Sequence, residues 1–125
     1  MSEEGTMGVP NDDTTASRGS VVCVTIVAEA ILESRLVDDL RNAGALGWTI
    51  TLAHGEGPRG RRVSDLEGGN IRVETLVSEE VAEAIWSRLA SHYFSNYAIT
   101  AWTNEVQVAR PDRYRGSGAT GTPSR

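Results

Sequence analysis

The first half of the chain alternates between a strand pattern and a helix pattern. Residues 20–28 form a nearly continuous run of apolar and β-branched side chains, which is typical of a strand at the centre of a sheet. Apolar residues then recur at helical spacing at Leu32, Leu36 and Leu40, with charged residues between them. Gly44 follows at a position where helices commonly end. The pattern predicts a buried strand followed by an amphipathic helix.

The second half of the chain predicts two strands, a helix and a last strand. Residues 48–53 alternate between apolar and polar side chains, and residues 70–77 do the same. Ser78 is a good N-cap for a helix that ends near His92, and a last strand covers residues 98–108. The order β-α-β-β-α-β is that of an α+β, ferredoxin-like sandwich with two helices on one face of an antiparallel sheet. Because the other face needs cover, the pattern also favours an oligomer.

The segments outside this pattern are a loop and two tails. Residues 54–69 hold five glycines and one proline and cannot form regular structure. Residues 1–19 and 113–125 are rich in Gly, Ser, Thr and Pro and poor in large apolar side chains, so we expect both to be disordered. The ordered part is then one domain of residues 20–112, because a chain of 125 residues has room for one core.

The basic residues of the chain are all arginine. There are 12 arginines and no lysine, which excludes mechanisms that need a lysine amine. Anions would therefore be bound by guanidinium groups, backbone amides or helix ends. The formal net charge of −5 argues against a nucleic-acid partner.

Cysteine usage and hydropathy indicate the compartment. Cys23 is the single cysteine and cannot form an internal disulfide, which favours a reducing compartment. No apolar stretch approaches the roughly 20 residues needed to span a bilayer. The acidic residues 1–5 lack the basic start of a signal peptide. We expect a soluble, cytoplasmic protein.

The strongest candidate for anion binding is the loop at residues 54–62. Its glycines allow backbone amides to approach an anion closely, and Arg59, Arg61 and Arg62 supply planar donors and positive charge. A phosphate or carboxylate cradle fits this composition, and so does a loop that is merely solvated.

The sequence contains no catalytic constellation. His54 and His92 lack a partner nucleophile, because Cys23 lies inside the first predicted strand. A metal site would have His54 and Glu56 but no third His or Cys ligand. The sequence therefore favours a binding protein over an enzyme.

Four motifs in a fixed order resemble those of the PII signalling proteins. They are AGALGWT at residues 43–49, GEGPRGRR at 55–62, GNIRVE at 69–74 and YFSNYA at 93–98. The resemblance covers residues 21–112. Within the PII proteins, the sequence most resembles the PII-like proteins of bicarbonate-uptake and carboxysome gene clusters. It implies a ferredoxin-like fold assembled as a homotrimer, with nucleotides bound in the three clefts between subunits.

The resemblance also assigns loops and ligand residues. Residues 55–69 would be the T-loop, which engages a partner, and residues 93–98 would be the B-loop. The residues that the resemblance places at the nucleotide are Gly47, Thr49, Gly55, Gly57, Arg59, Arg62, Glu74, Leu76, Asn96, Tyr97 and Arg110.

The resemblance implies a role for most of these residues. Gly47 and Thr49 would contact the adenine edge. Glu74 and Leu76 would border the ribose and the base. Arg59 and Arg62 would contact the phosphates. Arg110 would approach from the C-terminal segment of the neighbouring subunit. Arg59 and Arg61 are the candidates for binding bicarbonate or another anion.

Departures from the family pattern narrow the expected function. The family places lysines in and near the B-loop, whereas this chain has none, so we expect AMP, ADP or cyclic AMP to be preferred over ATP. The T-loop holds no tyrosine, so control by uridylylation is not expected. The resemblance implies a non-catalytic sensor of adenine nucleotides, with bicarbonate as a second candidate ligand. Its T-loop would engage a membrane bicarbonate transporter or another carbon-uptake protein.

Two alternatives share this fold and stay open at this point. An acylphosphatase-like hydrolase would need an anion loop between the first strand and the first helix, where residues 28–30 lack glycine and arginine. A divalent-metal-binding tolerance protein would hold copper through His54 or His92, or through carboxylates.

Overall fold

The computed structural model describes residues 17–55 and 69–116. Its strands and helices are β1 (Arg18–Glu29), α1 (Glu33–Ala43), β2 (Thr49–Ala53), β3 (Asn70–Val77), α2 (Glu79–His92), β4 (Thr100–Ala109) and α3 (Asp112–Arg115). A 3₁₀ turn, Ala30–Leu32, joins β1 to α1. This order confirms the predicted β-α-β-β-α-β succession and adds a short C-terminal helix.

The strands form one antiparallel sheet in the order β2-β3-β1-β4. β1 is central and pairs with β3 on one side and with β4 on the other. One row of residues crosses the whole sheet through Thr49, Glu74, Thr25 and Trp102. This topology is the predicted ferredoxin-like arrangement.

The two long helices cover one face of the sheet, called here the helix face. Val24 and Ile26 of β1 and Val73 of β3 are fully buried there, against Leu36 of α1 and Ile85 of α2. The same cluster contains Ala28, Leu40, Ile71, Val77, Leu89 and Tyr93. Because side chains alternate along a strand, the residues between these face the opposite side, the open face, which no long helix of residues 17–55 and 69–116 covers.

Both helix boundaries read from the sequence are confirmed. Gly44 ends α1 with a φ of 108°, a left-handed conformation that glycine adopts without the cost of a Cβ. The Ser78 hydroxyl caps α2 by accepting the Val81 N–H at 3.2 Å. None of the helices in residues 17–55 and 69–116 is long and apolar enough to cross a membrane.

Regular structure extends beyond the predicted domain limits at both ends. β1 begins at Arg18, inside the predicted tail of residues 1–19, because Arg18 pairs with Ala109 at the end of β4. α3 includes residues 113–115, which fall in the predicted tail of residues 113–125. The described regular structure therefore runs from residue 18 to residue 115.

The C-terminal segment folds back onto the start of β1. Arg115 donates from Nη2 to the Ser20 carbonyl at 3.2 Å, and Pro111 is buried. A Cβ on Gly19 would lie 3.0 Å from Arg115 Nη2 and 3.1 Å from Pro111 Cγ, so glycine allows this close approach. The contact joins residues far apart in the chain, and hydrophobic periodicity gave no sign of it.

Candidate functional site

The base of the predicted T-loop, residues 55–69, lies where β2 ends and β3 begins. Ala53 and Asn70 form the last pair of these strands, and Gly69 precedes Asn70 with a φ of 72°. The Gly69 carbonyl accepts the Ala30 N–H at 2.9 Å, which ties this end of the loop to the turn after β1. The base of the loop is therefore anchored to the sheet and to the start of the first helical segment.

The side-chain amide of Asn70 lies buried at the base of the loop. Its side chain is 1% exposed, and neither its amide oxygen nor its amide nitrogen has a hydrogen-bond partner in the described part of the chain. Burying an amide without partners is costly. Within residues 17–55 and 69–116, the Asn70 amide therefore has one hydrogen-bond donor group and one acceptor group without a partner at the base of the loop.

Four of the predicted ligand residues lie outside the described residues. These are Gly57, Arg59, Arg61 and Arg62, which fall between residues 55 and 69. Gly55, the last described residue before them, is exposed. The predictions that these arginines bind phosphate or bicarbonate stay predictions.

Four other predicted residues, Gly47, Thr49, Glu74 and Leu76, form a strip along β2 and β3. Thr49 lies directly opposite Glu74, and Leu76 follows on the same face of β3. The Thr75 hydroxyl donates to the Gly47 carbonyl at 2.6 Å, which fixes the chain just before β2 against β3. A Cβ on Gly47 would meet no atom within 4 Å, so the backbone there stands open to an approaching group.

Arg72 is a neighbour of this strip that the sequence analysis did not select. Its Nη2 lies 3.0 Å from Glu74 Oε2, and its guanidinium lies 5.4 Å from the centre of the Trp102 ring. The spacing of two residues along a strand, which puts Arg72 and Glu74 on one face, was a usable signal. Exposed ion pairs contribute about 0.2–1 kcal/mol, so a ligand can separate this one at little cost.

The predicted B-loop, residues 93–98, is held against α1. Arg35 donates from Nη1 to the Tyr97 hydroxyl at 2.7 Å, and the Tyr97 and Asn96 N–H groups both donate to the Tyr93 carbonyl at 3.0 Å. Asn96 is exposed. Of the two B-loop residues predicted at the nucleotide, Asn96 is free to reach outward, whereas the Tyr97 hydroxyl is directed to α1.

Tyr93 anchors the B-loop in the core. Its side chain is fully buried, and its hydroxyl donates to Asp39 Oδ2 at 2.5 Å. Asp39 also pairs with Arg88 Nε at 3.1 Å. Burial, together with the hydrogen bond to Asp39, raises the pKa of Tyr93 well above its usual value. Tyr93 is thus a core residue.

Arg110 lies at the other end of the sheet from the T-loop. It directly follows Ala109, which pairs with Arg18, whereas the T-loop base adjoins Glu29. Since β1 spans these points with 12 residues, they are about 36 Å apart within one chain. One chain therefore does not bring Arg110 and the T-loop base to the same phosphate.

Arg110 also has a strained backbone. Its φ is 54°, in the left-handed region, and it precedes Pro111, which disfavours most helical conformations in the residue before it. Strain of this kind in a residue other than glycine is concentrated at functional sites.

Comparing two truncations at residue 110 measures that strain. Arg110→Gly and Arg110→Ala both remove the guanidinium, but only glycine tolerates a positive φ. We expect the glycine variant to exceed the alanine variant in free energy of unfolding by about 1 kcal/mol. Urea denaturation of the two variants checks this, and equal midpoints would show that the φ is unstrained.

The fold matches that of known proteins. A PII-like signalling protein from Thermus thermophilus is 47% identical, with a TM-score of 0.68 over 78% of this chain and 97% of that one. CPII from Thiomonas intermedia, a nitrogen regulatory PII-like protein, is 22% identical, with a TM-score of 0.72 over 80% of this chain and 98% of that one. That CPII structure holds ADP, AMP and bicarbonate, and a further CPII structure is an apo form.

The family follows from these matches and from the sequence. The family model for nitrogen regulatory protein P-II matches residues 21–113. The chain belongs to this family, which confirms its resemblance to the PII signalling proteins, and it is a PII-like regulatory protein.

Proposed function

We propose that the chain binds an adenine nucleotide in clefts between the subunits of a homotrimer, without catalysing a reaction. The observation that carries this proposal is the strip along β2 and β3. There Gly47 leaves open backbone, and Thr49 and Glu74 offer a hydroxyl and a carboxylate side by side. These groups can contact an adenine edge and a ribose hydroxyl. CPII, which shares the fold, holds ADP and AMP and supports the same ligand class.

Two features of the single chain support an assembly. The edge strand β4 is ten residues long and carries Glu105 as its only charged residue, so its outer edge is an unprotected template for another chain. A groove of about 620 Å³ also runs between α2 and β4, lined in part by Trp86 and Thr103. We further propose that a neighbouring subunit of this assembly supplies its own Arg110 to the T-loop base.

The ligand preference follows from the absence of lysine. A triphosphate has more charge to neutralise than a monophosphate or diphosphate, and arginines alone supply the side-chain cations here. We therefore propose AMP, ADP or cyclic AMP as the preferred nucleotide. Bicarbonate, which CPII holds together with ADP, is the second ligand we propose, with Arg59 and Arg61 as its candidates.

The biological role we propose is the regulation of inorganic carbon uptake. Nucleotide and bicarbonate would set the conformation of the T-loop, which would engage a bicarbonate transporter or another carbon-uptake protein. The CPII structures with ADP and bicarbonate support the ligand part of this proposal.

Isothermal titration of the purified protein tests the nucleotide proposal. AMP, ADP, cyclic AMP and ATP are titrated separately, each with and without bicarbonate. We expect binding of the first three, weaker binding of ATP, and tighter binding of ADP when bicarbonate is present. Absence of binding by all four nucleotides would overturn the proposal, and tightest binding of ATP would overturn the stated preference.

Truncation of Arg59 tests the phosphate contact. We expect Arg59→Ala to weaken ADP binding by about 1–3 kcal/mol, the usual contribution of a charge-assisted hydrogen bond. Arg18→Ala removes another arginine, at the start of β1, and is the control, with an expected change in affinity below about 0.5 kcal/mol. Equal ADP affinities of the Arg59 variant and the wild type would remove Arg59 from the site.

The two alternative functions gain no supporting observation in the described part of the chain. Residues 28–30 run from β1 directly into the 3₁₀ turn and form no anion loop there. Within residues 17–55 and 69–116, no three His, Cys, Asp or Glu side chains converge on a point that could hold a metal.

A further inference from the structure

A six-residue segment touches both functional loops. At its start, the Ala30 N–H donates to the carbonyl of Gly69 at the T-loop base, at 2.9 Å. At its end, Arg35 donates to the hydroxyl of Tyr97 in the B-loop, at 2.7 Å. The segment consists of the 3₁₀ turn and the first residues of α1, so its two contacts are joined by continuous helical backbone.

Arg35 makes more than one contact with the B-loop. Its guanidinium carbon lies 4.8 Å from the centre of the Tyr93 ring and 5.4 Å from that of Tyr97, and the two rings are 5.9 Å apart. A guanidinium at such distances from aromatic rings is attracted to both. Arg35 therefore lies against both aromatic residues that bound the turn of the B-loop.

The two tyrosines are held differently. Tyr93 is buried and bonded to Asp39, so it keeps its position whether or not Arg35 is present. The Tyr97 side chain is only half-buried, and its hydroxyl bond within the described residues is the one from Arg35. Loss of Arg35 should thus release the Tyr97 end of the B-loop while the Tyr93 end stays in place.

We propose that Ala30–Arg35 couples the T-loop base to the B-loop and that Arg35 is the positioning residue at the B-loop end. A change at Gly69 shifts the Ala30 end of the segment, and Arg35 transmits the shift to Tyr97. A nucleotide that contacts both loops would then find the T-loop base and the B-loop held in one fixed relative position. This last consequence rests on the proposed nucleotide binding, whereas the coupling itself does not.

Hydrogen exchange of the free protein tests the coupling without a ligand. Gly69→Ala strains the T-loop base, because Gly69 has a φ of 72°. We expect this change to speed exchange of the Asn96 and Tyr97 amides several-fold, and Arg35→Met alone to speed it about tenfold. In the double variant Gly69→Ala should add nothing further, because the link is already lost.

A control variant and two possible outcomes decide whether the coupling exists. Arg41→Met removes another arginine of α1, which lies over Trp48 at 5.2 Å, and should leave the Asn96 and Tyr97 amides unchanged. The coupling is wrong if Gly69→Ala leaves these amides unchanged, or if its effect is the same with and without Arg35.

Titration with ADP then separates the coupling from the proposed function. We expect Arg35→Met to bind ADP about tenfold more weakly than the wild type, because the loss of its contacts releases the Tyr97 end of the B-loop. Tyr97→Phe keeps the ring and loses the hydroxyl, and should weaken binding about threefold. If the wild type does not bind ADP, the proposed function fails and the exchange result stands alone. If the wild type binds and Arg35→Met binds equally well, Arg35 is not a positioning residue.

Discussion

Tyr93→Phe is expected to lower the free energy of unfolding by about 1.5–3 kcal/mol at neutral pH, the usual contribution of a hydrogen bond to a charged group. The change removes only the hydroxyl that donates to Asp39 and keeps the ring in the core. Asp39 is 13% exposed and would retain Arg88 as its partner, so the carboxylate would lose part of its compensation for burial. Urea denaturation measures the difference.

Tyr114→Phe is the matched control. Tyr114 lies in α3, and its hydroxyl makes no hydrogen bond to the part of the chain that the structure describes. This second substitution should change the free energy of unfolding by less than about 0.5 kcal/mol. A loss as small in the Tyr93 variant would mean that the bond between Tyr93 and Asp39 contributes little to stability.

The same variant predicts a difference in alkaline solution. Burial and the bond to Asp39 raise the pKa of Tyr93 in the folded chain, whereas the unfolded chain ionises near pH 10. The folded state therefore holds this proton more tightly, so its contribution to stability is fully present below about pH 10 and is lost as the pH rises further. Tyr93→Phe lacks this dependence.

We therefore expect the stability advantage of the wild type over Tyr93→Phe to shrink above about pH 10, by up to about 1.4 kcal/mol per pH unit. Denaturation series from pH 8 to pH 11 on both proteins measure the advantage directly. Because other titrating groups are common to both, they cancel in the difference. A constant difference across this range would mean that Tyr93 ionises equally in the folded and unfolded states.

The fold could be predicted because its signals are local. The strand pattern of residues 20–28 and the helical spacing of Leu32, Leu36 and Leu40 each depend on neighbours within a few positions. Gly44 and Ser78 mark the helix boundaries in the same local way. Antiparallel pairing then follows from the order of the elements, because few topologies fit it.

The candidate site was predictable only in part. Thr49 and Glu74 come together because they lie on two strands that pair along their length, and the Thr75 hydroxyl holds Gly47 beside them. The bonds from Arg35 to Tyr97 and from Tyr93 to Asp39 join residues 62 and 54 positions apart. A polar contact at such a distance leaves no period in the sequence, so Arg35 and Asp39 could not have been selected from it.

The use of arginine for every Lys or Arg position has a structural role that was not expected from the sequence. Arginine was expected to serve as a ligand for anions, yet three arginines of the described residues lie over aromatic rings. Arg35, Arg41 and Arg72 lie 4.8 to 5.4 Å from the ring centres of tyrosines or tryptophans. A planar guanidinium stacks on a ring and donates a hydrogen bond at the same time, which an ammonium group does less well. Part of the arginine content therefore serves to hold loops and the open face of the sheet.

The separation between Arg110 and the T-loop base leads to a prediction about mixed assemblies. If each nucleotide site takes its T-loop from one subunit and Arg110 from the next, two defective variants can complement each other. Arg59→Ala lacks the proposed phosphate ligand of the T-loop, and Arg110→Gly lacks the one at the C-terminal end without straining the backbone. Each variant alone should bind ADP only weakly, because every site in its homotrimer lacks one guanidinium.

Refolding the two variants together in equal amounts should restore binding to about one site in four, because random mixing places an intact T-loop beside an intact Arg110 at that frequency. The measurement is ADP titration at a concentration that saturates the wild type but neither variant. Wild-type protein taken through the same refolding is the control and should retain all its sites. A site built within one chain would always lack one of the two arginines, so the mixture would bind no better than the average of its parents. The geometry argues against that result, because about 36 Å of β1 separates the two ends of the sheet.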